Sequence, residues 1–205
     1  SISVFEFGCA KGNGLRELEK ISLEIKKIMG IEIEVYGFDT GEGLPAPEGI
    51  RDLKHCWKEG DFKMDRTNTV FKYAKLVLGN ISDTKIDFFE KYKPAPVGAV
   101  FFDFDYYSST KEGMDLLLHD ESKYLPRVYS YFDDIIGTEL ELYNDFTGER
   151  LAINEFNQEN LKTKFSKAYH LICREIIKGW YHKVYILHRF DNSKYQINIE
   201  DNQNN

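Results

Sequence analysis

Long apolar runs are missing from this 205-residue chain. The longest, Val97–Phe102, has six residues against the roughly 20 that span a bilayer, so no membrane helix and no membrane partner are expected. Cysteine is also scarce. Cys9, Cys56 and Cys173 are odd in number and far apart, which fits neither a disulfide framework nor a Cys-x-x-Cys metal pair and points to the cytoplasm. The opening Ser1-Ile2-Ser3-Val4 enters a strand at once and does not read as a signal peptide. Positive charge is in deficit, 27 Lys and Arg against 34 Asp and Glu, for a net charge of −7. That balance argues against a surface that coats nucleic acid. No solenoid-type repeat is visible. With 42% hydrophobic and 15% aromatic residues the chain is nevertheless a folding one. Residues 1–199 read as one domain, followed by a polar tail over 200–205.

The hydropathy pattern alternates between two periods. Ile2–Phe7 is a β-branched and aromatic run that ends in glycines, and Ile31–Phe38 and Lys75–Leu78 read as further strands. Val97–Phe104 is apolar almost throughout, as a central parallel strand covered on both faces should be. Val128–Phe132, Tyr169–Ile172 and Val184–Phe190 are the remaining strand candidates. Between them Leu15, Leu18, Ile21, Ile25 and Ile28 recur at helical steps, Thr110–Leu118 resumes that spacing, and Leu151–Phe165 is read as helical. Strand and helix in this rhythm predict an open α/β sheet with right-handed crossovers, whose ligands bind in the loops after the strands.

The first such loop is Glu6-Phe7-Gly8-Cys9-Ala10-Lys11-Gly12-Asn13-Gly14. Its glycines either allow tight packing or clear a path for a ligand toward backbone N–H groups at the helix start. The order G-x-x-x-G-x-G differs from the dinucleotide pattern, and no Gly-Lys-Ser/Thr ending makes it a P-loop. An acid ahead of the glycines suits a cationic ligand better than a pyrophosphate. Asp39 follows Gly14 by 25 residues at the end of the second strand, where a carboxylate can accept bonds from ribose hydroxyls.

Taken together, E-x-G-x-x-x-G-x-G, then G-F-D-T-x-E-G-L-P (Gly37–Pro45), G-N-x-S-D-T (Gly79–Thr84), D-x-D-x-Y-x-S-T (Asp103–Thr110) and F-D-D (Phe132–Asp134) resemble the class I S-adenosylmethionine-dependent methyltransferases. More narrowly, the blocks resemble the macrocin O-methyltransferase family, which methylates sugar hydroxyls with the help of Mg²⁺. The resemblance covers Val4 to Asp134. It implies a Rossmann-like, mostly parallel seven-stranded sheet with helices on both faces and an antiparallel last strand. It also implies an S-adenosylmethionine site built from Glu6, Gly8, Cys9, Ala10, Gly12, Gly14, Asp39, Thr40, Asn80, Ile81 and Asp103. The chain departs from the family at Gly41, where Phe is usual, at Arg127-Val128 in place of Gly-Gly, and at Ile135 in place of Tyr.

Strand four delivers Asp103 and Asp105, and strand five Asp133 and Asp134. If the two strands are neighbours, these acids converge, and a hard divalent cation is the natural remedy for their repulsion. By the resemblance Asp103, Asp133 and Asp134 would hold Mg²⁺, and Asp103 would act as general base. Asp105 is expected to face the other side of the pleat and anchor the loop at Tyr106 and Tyr107. The predicted activity is methyl transfer to a hydroxyl of a sugar or other small molecule, with homo-oligomerisation left open. Two rivals stand beside it. One is a methyltransferase-like binding protein without turnover. The other is a short-chain NAD(P) dehydrogenase, suggested by Tyr107-x-x-x-Lys111. Trp57 and Trp180 are expected mostly in the core.

Overall fold

The computed structural model describes residues 1–67, 69–137 and 143–197; the expected polar tail over 200–205 lies outside them. In chain order the elements are β1 (Ile2–Phe7), α1 (Asn13–Met29), β2 (Ile33–Asp39), β3 (Lys75–Leu78), the short helices α2 (Ile81–Thr84) and α3 (Phe88–Tyr92), and β4 (Val97–Phe102). There follow α4 (Tyr107–Asp115), β5 (Tyr124–Phe132), α5 (Gly148–Glu159), β6 (Thr163–Lys167), α6 (Tyr169–Ile172) and β7 (Val184–Arg189). The strands form one seven-stranded sheet in the order β3-β2-β1-β4-β5-β7-β6. β7 pairs antiparallel with both β5 and β6, and the pairings from β3 through β5 are parallel. The strand order reverses between β1 and β4, which is the switch point where open α/β sheets bind ligands.

Strand alternation sorts the side chains between two layers. Phe5 and Phe7 of β1, Tyr36 and Phe38 of β2, Phe102 of β4 and Phe132 of β5 enter the main core with Phe88, Met114 and Phe156 from the helices on that face. Phe7 stacks on Phe38 and Phe102, at ring separations of 4.9 and 4.7 Å, and Phe102 on Phe132 at 4.8 Å. These pairs bring the ends of four neighbouring strands level. On the opposite face a smaller cluster sets Leu15 of α1 and Met64 against Val35 and Cys9. Further along that face Tyr129 of β5 is 56% exposed.

Two segments differ from the sequence expectation. The helix read over Leu151–Phe165 stops at Glu159, and Thr163–Phe165 belong to β6. Asn160 ends the helix with an extended backbone, and the Asn157 side chain then bonds both N–H and C=O of Phe165. Tyr169–Ile172 is a helical turn, not a strand. The Ala168 N–H makes the last bond to the β7 side at Val184, after which Cys173 N–H closes back onto Tyr169 C=O. No helix among the described residues is long and apolar enough to cross a membrane.

Candidate functional site

At the carboxyl ends of β1, β2, β3, β4 and β5 the chain leaves a cavity of about 300 Å³, within the size range that takes small organic ligands. Its floor is glycine loop and strand ends: Gly8, Ala10, Phe38, Asp39, Thr40, Gly79, Asn80, Ile81 and Asp103. Gly8 has a left-handed φ of 82° and a Cβ there would lie 1.9 Å from the carbonyl oxygen of Asp103, so only glycine lets the loop lie against β4. The Asp39 carboxylate organises this corner. Oδ2 accepts from the N–H groups of Cys9 and Ala10 at 2.8 and 2.9 Å, and Oδ1 from Gly41 at 2.6 Å. Asn80 caps α2 by accepting from Ser82 N–H at 3.1 Å.

Several residues expected here are elsewhere. Glu6, Cys9, Gly12 and Gly14 do not line the cavity. Because Phe5 and Phe7 point into the main core, Glu6 points to the other face, beneath the first turn of α1, where a Gly14 Cβ would meet Glu6 Oε1 at 1.7 Å. Its Oε2 is buried without a hydrogen-bond partner. Burial, then Asp103, pushes the Glu6 carboxyl up to about 8. The Cys9 thiol turns away toward the carbonyls of Glu6 and Phe38, at 3.8 and 3.6 Å. Gly12 lies under Phe71 and Thr69. Gly12 and Gly14 are thus packed against side chains, and of the three glycines in this loop Gly8 is the one that lines the cavity.

The acids do converge. Phe102 and Phe132 are register partners in the β4–β5 ladder, so Asp103 and Asp133 leave the sheet side by side, each donating its N–H to the preceding neighbour strand. Asp103, Asp133 and Asp134 each present an oxygen within 4.8 Å of the others. Asp103 is open to the cavity yet ringed by protein, and burial followed by Asp133 raises its carboxyl to about 6. The Asp134 carboxyl is likewise pushed up by burial and by Asp103.

Asp105 corrects an expectation. β4 ends at Phe102, so no pleat governs residue 105; its φ of 58° is left-handed and swings the side chain into the same cavity. Burial and the neighbouring Asp134 drive its carboxyl upward, while its N–H donates to Asp134 Oδ2 at 3.1 Å. Behind the cluster stands Glu149 of α5, fully buried, accepting from Asp134 N–H at 3.0 Å and Phe104 N–H at 3.5 Å. Neither the pattern around Glu149 nor its distance in sequence marks it in advance.

The outer wall comes from the long connection after β2. Leu44, Pro45, Trp57 and Phe62 line it, with Trp57 and Phe62 rings 5.4 Å apart, and Tyr143 also lines the cavity. Trp57 is thus a wall residue and Trp180 is exposed, neither a core residue. Asp52 pins the connection in place. It is buried and accepts from Ser108 N–H, Ser108 Oγ and Glu48 N–H, each at 2.8 Å, tying the loop to the first turn of α4. Tyr107 and Lys111 face away from the cavity. The Tyr107 hydroxyl donates to Glu155 at 2.6 Å and Lys111 pairs with Glu159 at 2.7 Å, on the flank between α4 and α5. A dehydrogenase Tyr–Lys pair would have to project into the ligand site.

No family model and no curated protein matches the sequence. Solved structures do. The chain superposes on CalS11, a calicheamicin methyltransferase, with a TM-score of 0.59 at 16% identity, covering 94% of this chain and 73% of that one. The O-methyltransferase NovP gives 0.57 at 15% identity, with 92% and 72% covered. The apo form of CalS11, described as a TDP-rhamnose 3′-O-methyltransferase of calicheamicin biosynthesis, gives 0.50 at 18%, with 94% and 73% covered. The architecture of this chain is accordingly the Rossmann-like fold of the class I methyltransferases.

Proposed function

We propose that the protein transfers a methyl group from S-adenosylmethionine to a hydroxyl of a sugar or other small molecule, assisted by Mg²⁺. The observation that carries the reading is the meeting, in one cavity, of a glycine turn, a ribose-type aspartate and three oxygen ligands in ion-binding range. The residues fit both groups. Asp39, Thr40, Asn80 and Ile81 would hold the adenosyl moiety, and the donor set of Asp103, Asp133 and Asp134 is all carboxylate oxygen, which suits a hard cation. CalS11 and NovP, both described as methyltransferases, share the fold, which supports the chemistry by analogy.

Bound there, S-adenosylmethionine supplies an activated methyl group and Mg²⁺ a Lewis acid for the acceptor oxygen. The chain's own task is mostly positioning. Trp57, Phe62, Leu44 and Pro45 line the cavity and would offer an apolar face to the acceptor. In the ion-free cluster burial and Asp133 raise the Asp103 carboxyl to about 6, and beside the acceptor it is the residue that would take the hydroxyl proton. The test is transfer of labelled methyl from S-adenosylmethionine to a panel of sugars and small hydroxyl compounds, with Mg²⁺ or with chelator. Transfer that needs the cation and falls at least about a hundredfold in Asp133→Ala is expected. Undiminished transfer by that variant would remove the cation from the reaction. Cofactor binding without transfer to any acceptor would favour the non-catalytic binding protein.

A further inference from the structure

Asp133 is held by more than the sheet. Its Oδ1 accepts from the Tyr131 hydroxyl at 2.7 Å and from Lys183 Nζ at 2.9 Å. The Lys183 side chain is 18% exposed. Among the described residues it makes the one ion pair available to Asp103, Asp105, Asp133, Asp134 and Glu149. The antiparallel ladder fixes its location: Val184 is the register partner of Tyr131, so residue 183 comes level with Phe132, one residue before Asp133. Its charge also reaches Asp103 and Asp134, whose carboxyls it draws downward against burial and mutual repulsion.

From this geometry we infer that Lys183 is the acidic cluster's built-in counter-cation, a positioning residue that holds Asp133 through Oδ1 and sets how tightly a divalent ion binds. The inference rests on the cluster being the cation site proposed above. Three carboxylates this close repel one another, and an ammonium tethered to one of them neutralises part of that charge. A divalent ion entering the cluster meets the same ammonium as a like charge, held 2.9 Å from Asp133 Oδ1 on a largely buried side chain. Lys183 therefore stabilises the ion-free cluster and weakens the ion-loaded one. Tyr131, bonded to the same oxygen without carrying charge, shares the orienting role and not the electrostatic one.

Mn²⁺ binding to the full chain, read from the electron paramagnetic resonance of the free ion, separates these effects. Lys183→Met is expected to bind Mn²⁺ about tenfold more tightly than the parent, and Lys183→Arg to stay near it. Ion-free Lys183→Met should melt below the parent and recover more on saturation with Mn²⁺. Lys183→Gln provides a second neutral variant should the Met form not fold by circular dichroism. Unchanged or weaker Mn²⁺ binding by a folded neutral variant overturns the inference. No Mn²⁺ binding by any form, parent included, overturns the cation site itself.

Discussion

Glu6 and Asp39 are both carboxyl side chains at the ends of adjacent strands and do opposite things. Asp39 meets three backbone N–H groups and fronts the cavity, whereas Glu6 sits under α1 with an unpartnered oxygen. Replacing Asp39 by Ala should weaken S-adenosylhomocysteine at least about tenfold by calorimetry, since both its ribose acceptor and the loop's three anchors are lost. Glu6 predicts a pH effect. Its folded-state carboxyl titrates near 8 and its unfolded one near the ordinary value, about 4.3, so the native state holds the extra proton between them. Stability from this group is thus complete only below about pH 4.3, falls progressively above it and is lost once pH passes 8. Glu6→Gln should shrink the loss in unfolding free energy between pH 5 and pH 8.5 by about 1–3 kcal/mol in urea titrations. An equal loss in both proteins would show that Glu6 is not the titrating group.

At the scale of elements, two buried charged side chains join pieces that the sheet does not. Asp52 caps α4 from a loop that lies more than fifty residues away in sequence. Asp52→Ala should cost about 1–3 kcal/mol and loosen the Trp57–Phe62 wall, read as raised KM for the acceptor with little change for the cofactor. Arg189, at the end of β7, bonds the carbonyls of Leu117 and His119 at 2.8 Å and pairs with Asp191 at 2.7 Å. Arg189→Met leaves those acceptors buried and should destabilise by about 2–4 kcal/mol in the same titrations. Such long-range ties also mark what sequence reading could reach. α1 was legible from its helical period and β1 and β4 from their apolar, aromatic-rich runs, and the meeting of Asp103 with Asp133 followed from neighbouring strands whose ends, Phe102 and Phe132, lie in register. Tyr169–Ile172 was not, because a segment of four residues has no period and tertiary position decides it. Asp105 and the Trp57 wall depend on a left-handed residue and an irregular loop, for which sequence offers no rule.

Over the whole molecule, one end of the sheet concentrates negative charge and the rest of the fold supports it. Asp103, Asp105, Asp134 and Glu149 all have carboxyls raised chiefly by burial, and Lys183 is their ion-pairing neighbour through Asp133. Raised acids lose stability as pH climbs, so the ion-free protein should melt lower at pH 8 than at pH 6. Mg²⁺ should reverse most of that fall if it binds these groups, because it favours their ionised form. A melting temperature indifferent to Mg²⁺ at both pH values would speak against the cation site. The arrangement of glycine turn, Asp39 and acids around a single cavity is nevertheless first a claim about an adenosyl ligand. Isothermal titration of the protein with S-adenosylhomocysteine, with NAD as control, addresses it most directly. Saturable one-to-one binding that NAD does not reproduce and that Asp39→Ala abolishes or weakens is the predicted result; no heat with S-adenosylhomocysteine, or equal binding of NAD, would contradict it.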